Sequence, residues 1–110
     1  MTDRIIDGSA TGRQQLLHML RDVCKSAAPV CEAAPSPALW KDRAEAAIKA
    51  CTKLQRGLFT SHPQLADELN FLAAEIQIAL AAQSDEPLFA ARIQRIRAAI
   101  HRLQQVGAGL

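Results

Sequence analysis

Four stretches of this chain carry apolar residues at alternating steps of three and four, the period of one face of an α-helix. The second stretch is the most regular: Trp40, Ala44, Ala47, Cys51, Leu54 and Leu58. The first runs through Leu16, Leu17, Leu20, Val23, Cys24 and Ala27; the third through Leu65, Leu69, Leu72, Ile76 and Ala79; the fourth through Phe89, Ile93, Ile96, Ile100 and Leu103. A half-buried strand would need a period of two, and the composition agrees with helix. Alanine is abundant and aromatics are 4%, with Trp40, Phe59, Phe71, Phe89 and no Tyr. Strands draw on the β-branched and aromatic residues that are scarce here.

Three Pro-containing breaks separate the stretches: Pro29 to Pro37, Gly57 to Pro63, and Ser84 to Pro87. They come with capping signals. Thr11 and Gln14 form a T-x-x-Q capping box that places the first helix start at Thr11, and Ser61 with Gln64 form a second one for the third helix. Ser36-Pro37 reads as an N-cap followed by proline in the first turn, and Ser84 or Asp85 opens the fourth helix. Gly57 stands where a left-handed cap would end the second helix, and Gly107 and Gly109 mark the end of the fourth. Four helices near 20 residues each, joined by short connections, predict an all-α fold: an antiparallel up-down four-helix bundle. The single domain spans residues 11–110, behind a tail of residues 1–10. A chain of 110 residues buries a core unaided, with no need of a disulfide or a metal.

The charges are segregated. Residues 57–91 contain Asp67, Glu68, Glu75, Asp85 and Glu86 and no Lys or Arg; residues 87–110 contain Arg92, Arg95, Arg97 and Arg102 and no acid. Alone, the fourth helix reads as a basic surface for nucleic acid. In a hairpin that turns near residue 85, however, residues whose numbers total about 170 lie level. Glu75 then meets Arg95 and Glu68 meets Arg102, an interhelical ladder on the flank of the apolar stripe, where each exposed pair adds about 0.2–1 kcal/mol. No aromatic interleaves with the arginines to stack on bases. The ladder is therefore the expected use of this charge, and nucleic acid is not an expected partner. The net charge of +2 implies no partner by itself.

The third helix has an apolar surplus. From Phe71 to Ala82 only Glu75 and Gln77 are polar. Phe71 and Ile78 lie well off the Leu65–Leu69–Leu72–Ile76 stripe. In a bundle of four no helix is central, so a helix apolar almost all round needs a further cover. The expected cover is a second copy of the chain, a homodimer in which Phe71, Ala74, Ile78 and Ala82 meet their counterparts.

Motifs for chemistry are sparse. Cys24, Cys31 and Cys51 form no C-x-x-C, lack ligand spacing to His18, His62 or His101, and fall on or near apolar stripes, so they read as buried small hydrophobes. The chain has no G-x-S-x-G motif, and its paired acids sit on outer faces. No catalytic residue, metal or cofactor is expected. No apolar run reaches the roughly 20 residues of a membrane span, and residues 1–10 lack the apolar core of a secretory leader. The expectation is a cytoplasmic protein that acts by contact with other protein. His18-Met19-Leu20-Arg21 resembles the H-x-L-K-G string of histidine phosphotransfer domains. That resemblance implies phosphoryl transfer at a solvent-facing His18 with Arg21 offsetting the charge, although Asp22 stands at the family's glycine.

Overall fold

The computed structural model describes residues 10–110 of the chain. They form four helices, α1 (Ala10–Ala27), α2 (Pro37–Arg56), α3 (Pro63–Ala81) and α4 (Glu86–Ala108), with a 3₁₀ turn at Ala28–Cys31 after α1. No strand occurs among the described residues. The tail assigned to residues 1–10 lies outside them except for Ala10, which is already helical, and so does the Thr11 side chain of the first capping box. The start of α1 is thus earlier than Thr11.

The prolines set the other starts. Ser36 caps α2, its Oγ accepting the Leu39 N–H at 3.1 Å, ahead of Pro37. Asp85 caps α4 in the same way, Oδ1 accepting the Leu88 N–H at 3.2 Å. At α3 the expected Ser61–Gln64 box does not form. Pro63 occupies the first helical position, and a proline pushes the residue before it out of helical geometry, so His62 becomes the N-cap with φ −141°. Ser61 Oγ lies 3.0 Å from His62 Nδ1 instead.

The glycines depart from expectation. Gly57 and Gly109 follow α2 and α4 with φ of −82° and −81°, in right-handed geometry rather than the left-handed cap. Gly107 does not end α4 but lies buried within it. A Cβ there would stand 3.1 Å from Leu20 Cδ1, so the missing side chain lets α4 close on α1.

The helices pack in a ring: α2 on α1 and α3, α4 on α3 and α1. The ring measures 47 × 23 × 18 Å. Its interior holds the expected stripes. Leu16, Leu20 and Val23 of α1, the whole Trp40-to-Leu58 series, and Leu65, Leu69, Leu72, Ile76 and Ala79 of α3 are buried. The α4 stripe is rotated: Ile96, Ala99 and Leu103 are buried, while Phe89, Ile93 and Ile100 are half-buried at its edge.

The connection from α1 to α2 contains Pro29, Pro35 and Pro37, which donate no backbone hydrogen bond. Side chains of α2, of α4 and of the turn between α3 and α4 serve its carbonyls. Trp40 Nε1 donates to Val30 O and Arg97 Nη2 to Cys31 O, both at 2.8 Å; Gln83 Nε2 donates to Pro37 O at 2.8 Å. Arg43 Nη1 reaches Pro29 O and Ala33 O at 3.4 Å. Trp40 closes this end of the core, its ring edge-on to Phe89 at 4.7 Å.

Candidate interaction face on the third helix

Helix α3 presents carboxylates on one flank and an apolar seam outside. Arg95 Nε donates to both carboxylate oxygens of Glu75 at 3.3 Å, and Arg92 Nη1 stands 3.9 Å from Glu75 Oε1. Arg102 Nη2 donates to Glu68 Oε2 at 2.8 Å. These pairs link the residues that the sequence matched. Their depth differs from expectation. The Glu68 and Glu75 side chains are only 10% and 5% exposed, whereas Arg102 and Arg95 are 59% and 60% exposed. Each buried carboxylate is met by a guanidinium of α4 whose side chain stays largely exposed. The ladder is therefore a set of buried carboxylates clamped from outside, with Glu68 Oε1 buried and without a hydrogen-bond partner.

Beside this ladder, Phe71 and Ile78 are 39% and 42% exposed, and Ala74 is exposed between them. Ala82 does not continue the face. It is the residue that follows α3, with φ −101°, and it is turned inward and buried. Exposed Ala81 takes its place. Phe71, Ala74, Ile78 and Ala81 step by three, four and three, and at about 100° per residue they fall within an arc of about 80°. The step of three from Ile78 points to Ala81, whereas Ala82 lies beyond the helix end. The Arg102 guanidinium carbon lies 5.6 Å from the Phe71 ring centroid, a cation–π contact that ties the seam to the ladder.

The remaining candidates are scattered. Arg92, Arg95 and Arg102 serve carboxylates and Arg97 serves the Cys31 carbonyl, so all four arginines of α4 have partners within the chain. His18 is 70% exposed, with Asp22 Oδ2 3.7 Å from its Nε2. A carboxylate thus stands at the nitrogen where a phosphoryl group would bring further negative charge. Cys51 is buried, and Cys24 and Cys31 are half-buried. Burial raises all three thiols, Cys51 to about 12. Cys31 lines a groove of ≈ 510 Å³ beside Trp40 and Phe89, together with Glu32 and Glu86. A thiol raised in this way is a poor nucleophile at neutral pH. Among the described residues no three His, Cys, Asp or Glu side chains are grouped to hold a metal ion, and no helix is long and apolar enough to cross a membrane. No family model matches the chain, and no curated protein or solved structure is significantly similar to it.

Proposed function

We propose that this chain is a non-enzymatic protein–protein interaction module, an antiparallel up-down bundle that forms a homodimer through the outer face of α3. The single observation that carries this reading is the exposed, apolar Phe71–Ala74–Ile78–Ala81 seam on the outer side of α3. Large exposed apolar residues at helical spacing favour removal from water at roughly 25 cal/mol per Å², and a contiguous patch of them marks an interaction site. The antiparallel order is supported by the charge pairs. Glu75 meets Arg95 and Glu68 meets Arg102, so the chain descends α3 as it ascends α4. The non-enzymatic reading is supported by the dispersal of the titratable groups and the raised thiols.

The reading is tested by thermal melting over a range of protein concentrations. A folded dimer gives a melting temperature that rises with concentration, and Ile78→Ser, at an exposed position, removes the dependence. A melting temperature independent of concentration in the parent chain overturns the homodimer.

A further inference from the structure

We infer that the outward face of α2 binds a single strand of nucleic acid, with Lys49, Lys53 and Arg56 on its phosphates and Phe59 against a base. This surface lies on a different helix from the α3 seam and needs no second copy of the chain. Lys49, Lys53 and Arg56 step by four and three, and all three are exposed. At about 100° per residue they fall within an arc of about 60°, and they span about 10 Å of helix. They point directly away from Ala44, Ala47, Cys51 and Leu54, which α2 buries. Between Glu45 and Asp67 the chain carries no acid. Glu45 stands 4.0 Å from Lys41, one turn back. Among the described residues none of the three cations has an ion-pair partner. The arginines of α4 are spent inside the chain, and the cations of α2 are left for an anion from outside.

Cations near a helix C-terminus also offset the helix dipole, but that effect is confined to the last turn. It accounts for Lys53 and Arg56 and not for Lys49, two turns from the end. Phe59 selects among polyanions. It lies in the turn after α2, three residues beyond Arg56, takes no part in the core and is 59% exposed, the most exposed large apolar residue among those described. A ring beside a row of cations suits a splayed base and its phosphates, because every base has a face to stack. An acidic protein surface would use the cations and leave the ring in water. A duplex keeps its bases stacked on one another and offers the ring no face. The aromatic that the α4 arginines lack is present here. The stripe leads on to the N-terminus of α3, which no side chain caps and whose dipole adds positive potential.

The test is fluorescence anisotropy of a labelled oligothymidylate titrated with the chain over a range of salt. The parent binds at low salt, and the logarithm of its affinity falls with the logarithm of salt at a slope of about −2, since each of three contacted phosphates of a single strand contributes about 0.7. Lys49→Ala, Lys53→Ala and Arg56→Ala each weaken binding and make the slope shallower by about 0.7. Phe59→Ala weakens binding by about fivefold or more and leaves the slope unchanged. Lys41→Ala, at a position off the stripe and beside Glu45, leaves the slope unchanged. All five positions are exposed, so the helical circular dichroism is retained and each variant reads binding rather than folding. An oligothymidylate that does not bind at low salt overturns the assignment. So does a duplex of the same length that binds more tightly, or poly-glutamate that binds as tightly and is indifferent to Phe59→Ala. None of these results decides dimerisation, which sedimentation of the same samples reads separately.

Discussion

The Cys51 side chain is fully enclosed by the ring of helices, and burial lifts its thiol from 9.0 to about 12. A group whose folded pKa is raised binds its proton more tightly when folded. Its contribution to stability is complete below the unfolded value and is lost as pH climbs through the window from 9.0 to about 12. In the Cys51→Ala variant the loss of stability between those pH values is shallower than in the parent, as chemical denaturation at stepped pH would read; equal slopes contradict the assignment. The burial of Cys51 was legible in the sequence because it sits in a regular helical stripe. The work of Arg97 was not. Its partner is the carbonyl of Cys31, 66 residues away, and main-chain acceptors leave no mark in a sequence. The apparent basic surface of α4 dissolves because its arginines have partners within the chain: the carboxylates met by Arg95 and Arg102 were readable, the carbonyl met by Arg97 was not.

At the scale of the element, α3 and α4 are joined by a ladder whose pairing was legible and whose depth was not. The pairing follows from a short turn and from counting residues along two helices. The depth depends on how α3 packs against its neighbours, which counting residues does not give. That depth changes the energetics from an exposed ladder to buried anions. Removing the cation leaves a buried charge uncompensated, so Arg102→Ala is expected to cost about 1–3 kcal/mol. Glu68→Met removes the anion together with its unpartnered Oε1 and is expected to be neutral or stabilising. Urea unfolding of the two variants checks this, and equal losses from both contradict it. Helix boundaries were legible wherever a proline followed a side chain able to cap. They failed at Ser61 because Pro63 transferred the capping position to His62.

For the whole molecule, a ring of four helices encloses its apolar stripes and leaves the α3 seam uncovered, with Leu39, Phe59 and Leu88 exposed elsewhere. The fold class was readable because four periodic segments and three breaks permit few other arrangements. The surplus on α3 was readable as an apolar excess, and the structure sharpened it from Ala82 to Ala81, which completes the alternation of large and small side chains. Sedimentation equilibrium of the parent chain beside a Phe71→Ser/Ile78→Ser variant tests the account most directly. The account predicts twice the chain mass for the parent and the single-chain mass for the variant, with the helical circular dichroism retained in both. A parent that sediments at the single-chain mass over the whole concentration range would contradict it.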